Sequence, residues 1–146
     1  MITYLCGGIN GLSDFEATDW RTRAKQLLKT ETLDPMRRDY RGMEDEHVQE
    51  IIEGDVKDIT DSDFLLVNAE KPSWGTAMEV QLAYNLGRKI YAVVSAQKVS
   101  PWLRYHTTEI FRNLNDAIDR INKESDYEQN TFIEQQIKKQ AEHSPG

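Results

Sequence analysis

Apolar residues along the chain alternate between short unbroken runs and longer stretches in which they recur every three or four positions. The clearest run is FLLV at residues 64–67, between Asp63 and Asn68. A short, unbroken apolar run is typical of a strand that is buried on both faces of a parallel sheet. The pattern predicts strands at residues 2–6, 32–35, 63–68 and 89–95.

Stretches with helical spacing separate and follow these strands. In the first of them Phe15, Trp20 and Ala24 lie on one face, and Ser13 or Asp14 can cap its start. The predicted helices cover residues 14–29, 45–61, 76–86 and 110–122. Strands that alternate with helical crossovers form a parallel sheet with helices on both faces. We therefore predict an α/β three-layer sandwich with a mainly parallel central sheet.

The chain becomes polar from Lys123 onward, with Phe132, Ile133 and Ile137 as its main apolar residues. One interpretation is a terminal helix over residues 128–142 that docks on a partner chain. We expect the last residues, 143–146, to be loose. We accordingly divide the chain into one domain at residues 1–122 and a polar extension at residues 123–146.

Composition narrows the classes of function. The 146 residues include 18 basic and 25 acidic side chains, which gives a net charge of −7. This balance argues against a nucleic-acid polymer or a membrane surface as partner, since both attract basic proteins. The single cysteine excludes an internal disulfide. We see no signal peptide and no apolar run long enough to span a membrane, so we expect a soluble, cytoplasmic protein.

Ligands of a parallel α/β sheet bind beyond the carboxyl ends of its strands. This rule selects the loops at residues 7–13, 35–42, 68–79 and 95–105. The first loop begins with GGING but lacks the spacing of a dinucleotide-binding fingerprint. Two interpretations remain for it: a tight turn that needs positive φ, or a backbone that closely approaches a sugar or phosphate.

Carboxylates accompany the third loop. Thr76 and Glu79 have the spacing of a capping box, which would make Glu79 a helix-capping acid. The same position would also hold an ionised carboxylate at the mouth of the sheet, as a glycosidic nucleophile requires. On the preceding helix, Asp55 and Asp58 are three residues apart and project from one side. Spacing alone does not decide which of the two reaches the site.

Other kinds of chemistry lack their motifs. The sequence has neither a phosphate-binding P-loop nor a nucleophile elbow. His47, His106 and His143 are too far apart to form a metal-binding pair. Cys6, at the end of a strand, is more typical of a small buried apolar residue than of a nucleophile.

Several segments together match a known family. The most specific is GDVKDITDSDFLLVNAEKPSWGTAMEVQLAY followed by GRKIYAVV, in which a helical aspartate precedes an apolar strand and a G-x-x-x-E loop. The opening TYLCGGING adds a tyrosine on a strand before a glycine-rich loop. Over residues 2–121 the chain resembles the nucleoside 2-deoxyribosyltransferase superfamily, which includes the 2′-deoxynucleoside 5′-phosphate N-hydrolases. The resemblance implies a flavodoxin-like or Rossmann-like fold, with residues 1–122 as the catalytic domain.

The resemblance also implies roles for individual residues. Glu79 would attack the anomeric carbon of the sugar and form a covalent glycosyl ester, which water or an acceptor base then resolves. Asp55 would position the sugar and Glu79, and Tyr4 would orient the nucleophile. The substrate-binding residues that we expect are Gly7, Gly8, Asn10, Arg37, Arg38, Ser73, Gly75 and Ser100.

The choice between transfer and hydrolysis depends on the residues near the 5′ position. Many transferases of the family carry an aspartate where this chain has Ser73, and Ser73 and Ser100 resemble the phosphate-binding serines of the hydrolase branch. In that branch the second serine reaches the neighbouring subunit's site. Asn10 departs from the pattern, because the hydrolases have a phosphate-binding arginine there. Our hypothesis is that Arg37, Arg38 or the nearby Arg41 replaces it.

The sequence therefore leads us to expect cleavage of the N-glycosidic bond of a (deoxy)nucleoside or its 5′-monophosphate. The alternatives are a strict deoxynucleoside monophosphate hydrolase and a non-catalytic nucleotide-binding module. We expect a homodimer or larger homo-oligomer with sites completed across the interface. We expect no metal or redox cofactor, since carboxylates suffice for this reaction.

Overall fold

The computed structural model describes residues 1–143. The strands are β1 (Ile2–Gly7), β2 (Glu31–Leu33), β3 (Phe64–Asn68), β4 (Lys89–Val93) and β5 (Glu109–Phe111). The α-helices are α1 (Asp14–Leu27), α2 (Val48–Asp61), α3 (Trp74–Asn85), α4 (Pro101–His106) and α5 (Leu114–Glu142). Two single 3₁₀ turns, Pro35–Arg37 and Glu44–Glu46, lie between β2 and α2.

All strands found within residues 1–143 belong to one parallel sheet with the order β2-β1-β3-β4-β5. β1 lies inside the sheet, where Tyr4 pairs with Leu33 on one side and Leu65 on the other. This strand order is the flavodoxin-like one. The prediction of an α/β sandwich with a parallel sheet is confirmed.

Alternate residues of each buried strand enter one of two apolar layers, because successive side chains point to opposite faces. Leu5 and Leu66 pack with Trp20 of α1 and Ile118 of α5 on one face. Tyr4 and Leu65 belong to the other face, which packs against α2 and α3. The sheet therefore carries helices on both faces, and Tyr4 lies on the α2 and α3 side.

The segment after β4 differs from its prediction. Residues 110–122 were predicted as one helix, but Ile110 pairs with Ala92 in the edge strand β5. The helix begins only at Leu114, where the side chain of Asn113 accepts a hydrogen bond from the amide of Asp116. The predicted loop around Pro101 contains the short helix α4. A three-residue strand shows no periodicity of its own, and no glycine or proline bounds this one.

Helix α5 runs without a break from Leu114 to Glu142, so the separate terminal helix predicted at residues 128–142 is its second half. The proposed division at residue 122 falls inside this helix. Lys89 of β4 donates to Glu128 at 3.1 Å and helps to hold α5 on the sheet. Residues 144–146, which we expected to be loose, lie outside the described residues. No helix within residues 1–143 is both long and apolar enough to cross a membrane.

Candidate active site

A cavity of about 490 Å³ opens at the carboxyl edge of the sheet, between the ends of β1 and β2 and helices α2 and α3. The end of β1 contributes Gly7 to its wall, and the loops after the strands contribute Asn10, Arg38 and Ser73. The helices contribute Asp55, Gly75 and Glu79. Residues from four separate predicted segments therefore meet in one cavity.

Glu79 lies in the second turn of α3 and is not a capping residue. The N-cap of α3 is Ser73, whose side chain accepts a hydrogen bond from the amide of Thr76 at 3.4 Å. The helix therefore begins at Trp74, before the predicted N-cap Thr76, and the predicted capping box of Thr76 and Glu79 is wrong. The Glu79 carboxylate lines the cavity instead.

Tyr4 binds the Glu79 carboxylate through a hydrogen bond. Its buried hydroxyl on β1 donates a hydrogen bond to Oε2 of Glu79. Burial raises the pKa of Glu79 to about 7; the hydrogen bond from Tyr4 opposes this shift and the charge of Asp55 adds to it. Burial, together with the negative charge of Glu79, also raises the pKa of Tyr4. Tyr4 therefore keeps its proton at neutral pH and remains a hydrogen-bond donor.

Spacing did not decide whether Asp55 or Asp58 reaches the site. In the structure Asp55 lines the cavity, and Asp58 is not part of its wall. Burial raises the pKa of Asp55, and the positive charge of Arg38 partly opposes this. The Asp58 side chain is only 7% exposed and accepts hydrogen bonds from both Arg37 and Arg38 at 2.8 Å. Burial works to raise the pKa of Asp58, but these two hydrogen bonds outweigh it, and the pKa lies below its usual value.

The arginines that the sequence assigned to a phosphate are ion-paired within the chain. Arg37 contacts Asp58 and lies outside the cavity wall. Arg38 lines the cavity and contacts Asp55 as well as Asp58. Arg41 also lines the cavity, and its guanidinium pairs with Asp14 and Asp39. A phosphate would have to share these groups with carboxylates that already bind them.

The glycines of the first loop serve packing more than turn geometry. A Cβ on Gly7 would lie 2.7 Å from Cζ2 of Trp20, so the strand end and α1 can approach closely only with glycine there. Gly8 would place its Cβ 3.1 Å from Leu12, in a neighbouring cavity of about 260 Å³. Neither residue has a positive φ; in this loop Gly11 does, at 76°. The positive-φ interpretation therefore applies to Gly11 and not to Gly7 or Gly8.

The remaining predicted residues occupy different places. Asn10 and Ser73 line both cavities. Gly75 lies beside the nucleophile candidate, since a Cβ there would be 3.7 Å from Oε1 of Glu79. Ser100 is the exposed N-cap residue of α4 and is not part of this cavity wall. Its expected role in the site of a neighbouring subunit stays a prediction.

Sequence reasoning missed two contributors to the site. Arg21 of α1 is 1% exposed and donates to the carbonyl of Gly7 at 2.9 Å, and its charge lowers the pKa of Glu79. The sequence offered one indication of this role, since Arg21 lies on the apolar face of α1 among Ala17, Trp20 and Ala24.

The second missed contributor is the apolar face of α2. This face forms a wall of the cavity, with Ile52 and Val56 exposed there. Of its apolar residues, Ile59 is fully buried. An unusually wide apolar face next to polar loops was the signal available in the sequence. The cavity therefore offers an apolar surface beside Asp55 on the same helix. Within residues 1–143, no three His, Cys, Asp or Glu side chains converge to hold a metal ion.

Comparisons with known proteins agree with this geometry. The sequence model of the family described as nucleoside 2-deoxyribosyltransferase matches residues 3–132. No curated protein matches the chain significantly by sequence.

Solved structures share the fold. A 2-deoxyribosyltransferase from Bacillus psychrosaccharolyticus has a TM-score of 0.64 at 16% identity, over 80% of this chain and 89% of its own. The CMP N-glycosidase of Clostridium botulinum has a TM-score of 0.58 at 13% identity, over 84% of this chain and 99% of its own. A conserved protein of Enterococcus faecalis V583 has a TM-score of 0.51 at 16% identity, over 81% of this chain and 86% of its own.

Proposed function

Because the chain belongs to the nucleoside 2-deoxyribosyltransferase family, whose members act on N-glycosidic bonds, we propose that it cleaves such a bond in a deoxynucleoside with Glu79 as nucleophile. The observation that carries the proposal is the fixed carboxylate of Glu79 in the cavity wall. Tyr4 binds its Oε2, which leaves Oε1 for the attack. Asp55 lies close enough for its charge to act on the same carboxylate.

The reaction takes place in two displacements. Oε1 of Glu79 attacks C1′ of the sugar as the bond from C1′ to the base nitrogen breaks, and the base leaves with the electron pair and takes up a proton. This gives a glycosyl ester on Glu79. An acceptor base or a water molecule then attacks C1′ and restores the carboxylate. Positive charge develops on the sugar in both steps, and the ionised Asp55 stabilises it.

The nucleophile must be ionised, and this sets the direction of the pH dependence. With a pKa of about 7, Glu79 is partly protonated at neutral pH in the free chain. Base release should therefore increase as the pH rises through this value. We further propose that Gly7, Asn10 and Gly75 bind the sugar and that Gly8, in the neighbouring cavity, contacts another part of the substrate.

Hydrolysis of a 5′-monophosphate is the second candidate, favoured by Ser73. This residue caps α3 at the edge of the cavity, and a helix N-terminus presents free amides and a partial positive charge to an anion. Arg37 and Arg38 would assist from the loop after β2, and Ser100 would assist from a second copy of the chain. A phosphate there would select nucleotides over nucleosides.

A substrate panel tests these proposals. Deoxynucleosides and deoxynucleoside monophosphates are incubated with the protein, with and without a free acceptor base, and the released base is quantified. Release that requires the acceptor indicates transfer, and release from monophosphates alone indicates hydrolysis. Mass spectrometry of the quenched protein should detect one added deoxyribosyl group, absent in Glu79→Gln. If every substrate is silent and Glu79→Ala binds nucleotides as before, the chain is a binding module.

A further inference from the structure

A glycine in the middle of α2 marks an arrangement that the proposed reaction does not by itself require. Glycine is a poor helix former, yet Gly54 occupies an interior position of this helix. A Cβ on Gly54 would lie 2.9 Å from Cζ, Nε and Nη2 of Arg38, closer than a real Cβ ever comes. The guanidinium of Arg38 therefore packs directly on the backbone of α2, and a larger residue at position 54 would push it aside.

Two aspartates of the same helix hold this guanidinium. Its Nη2 donates to Oδ2 of Asp58 at 2.8 Å and lies 3.4 Å from Oδ1 of Asp55. The other oxygen of Asp58, Oδ1, accepts from Arg37 at 2.8 Å. Asp55 and Asp58 are one helical turn apart, so a single guanidinium reaches both across Gly54.

We propose that Gly54 and Asp58 form a seat for Arg38 and that Arg38, so held, is the positioning residue of the catalytic Asp55. Asp58 carries no chemistry in this arrangement; it binds both arginines and fixes Arg38 beside Asp55. The proposal rests on the proposed function in its assignment of Asp55. It gives Arg38 a partner within the chain, where the sequence suggested a phosphate.

The charges around Asp55 determine what Arg38 contributes. Asp55 interacts electrostatically with Tyr4 of β1 and with Glu79 of α3. Asp58 follows it on α2, and Arg37 and Arg38 approach from the loop after β2. Burial and the charge of Asp58 raise the pKa of Asp55, and the two arginines lower it, with Arg38 the stronger. Without Arg38 in place, Asp55 would take up a proton at a higher pH and stabilise the sugar cation less.

A thermal double-mutant cycle tests the seat without any assay of activity. In the unmodified chain, Gly54→Ala should change the melting temperature less favourably, by a few degrees, than it does when Arg38 is absent, because its Cβ must displace the end of the Arg38 side chain. In an Arg38→Ala background the same substitution should raise the melting temperature, since alanine is the better helix former and the obstacle is gone. Equal shifts in both backgrounds would overturn the proposal. Arg38→Gln, which keeps more of the side chain, repeats the cycle if Arg38→Ala does not fold.

An NMR titration of the Asp55 carboxyl tests the positioning role. Arg38→Gln and Gly54→Ala should each raise the pKa of Asp55 by about one pH unit. Arg38→Lys keeps a positive charge and should raise it less. Lys57→Gln is the control, since it removes a cation from an exposed face of the same helix. An Asp55 pKa that Arg38→Gln leaves unchanged contradicts the positioning role.

Kinetics separate this role from phosphate binding. On a nucleoside substrate, Arg38→Gln should lower kcat roughly tenfold and change KM little. If it instead raises KM only for monophosphates and leaves the nucleoside reaction unchanged, Arg38 is a phosphate ligand and the positioning proposal is wrong. If the unmodified chain releases base from no substrate, the proposed function fails, while the thermal cycle and the titration still decide on the seat and on its effect on Asp55.

Discussion

The carboxylate of Glu79 is subject to opposing influences on its ionisation. Burial and the nearby Asp55 favour the protonated form, whereas the hydroxyl of Tyr4 and the charge of Arg21 favour the ionised form. The result is a pKa of about 7, close to neutral pH. A carboxylate balanced in this way responds to the loss of any one neighbour.

Glu79→Gln should reduce base release roughly 10³-fold or more, because the amide has nearly the same shape but cannot form the glycosyl ester. The released base is quantified by chromatography. Circular dichroism and the melting temperature serve as the control for folding. A variant that is folded and retains a tenth of the activity would contradict the role of nucleophile.

Tyr4→Phe should raise the pKa of Glu79 above its value of about 7, because the hydrogen bond that favours the ionised form is lost. The rise of kcat/KM with pH should then move upward by about one pH unit, with the largest loss near neutral pH. The measurement is a pH profile on one substrate. Tyr91→Phe, on the opposite face of the sheet, is the matched control. Profiles that differ only in height would argue against this effect.

At the scale of the elements, α3 connects stability to substrate binding through its N-cap. Ser73→Ala removes the acceptor for the amide of Thr76 and should cost about 1 kcal/mol of unfolding free energy. Ser73→Asp should restore most of that stability, since aspartate also caps helices. If Ser73 binds a 5′-phosphate, the aspartate repels it, so KM for monophosphates rises while stability recovers. An unchanged melting temperature in Ser73→Ala would contradict the cap.

Local pattern predicted most of the elements because their signals are local. The strands β1, β3 and β4 and helices α1 to α3 each carry a run or a periodicity of their own, and the short strand β2 is bounded by Pro35. The edge strand β5 has neither signal, and its partner Ala92 lies elsewhere in the chain. The ion pairs of Arg38 with Asp58 join residues 20 positions apart, which no local pattern reveals.

The site was predictable to a different degree. The resemblance led us to Tyr4, Asp55 and Glu79, and the structure brings these three together. It did not show that the apolar face of α2 lines the cavity, because a wall facing a cavity and a wall facing a core have the same periodicity. Nor did it show the seat of Arg38, since the reason for Gly54 is a side chain from another segment.

At the scale of the whole molecule, Glu79 makes stability depend on pH. Its pKa is about 7 in the folded chain and near 4.5 when exposed, so between these values the folded chain holds a proton that the unfolded chain has released. Stability should therefore fall as the pH rises through this window, by about 3 kcal/mol in all. Denaturant titrations of the unmodified chain and Glu79→Gln at several pH values measure this. If the unfolding free energies of the two proteins change with pH in the same way, this expectation is wrong.

The expected homo-oligomer stays a prediction. Several large apolar side chains are exposed, among them Trp102, Tyr105, Ile133 and Ile137. Because covering such residues with a second copy is favourable, light scattering should give at least twice the chain mass of 16.9 kDa. A mass of one chain across the whole concentration range would contradict this expectation and would also leave Ser100 without a second site to reach.

The inner position of β1 has a consequence for how the chain acquires its shape. β1 pairs with strands that both follow it in sequence, and its partner β3 ends at Asn68. During synthesis, the backbone groups on one edge of β1 therefore have no strand to pair with until β3 has left the ribosome. Pairing between distant segments is slow and exposes apolar surface meanwhile. Chaperone dependence of the nascent chain should accordingly be greatest before β3 emerges and decline afterwards.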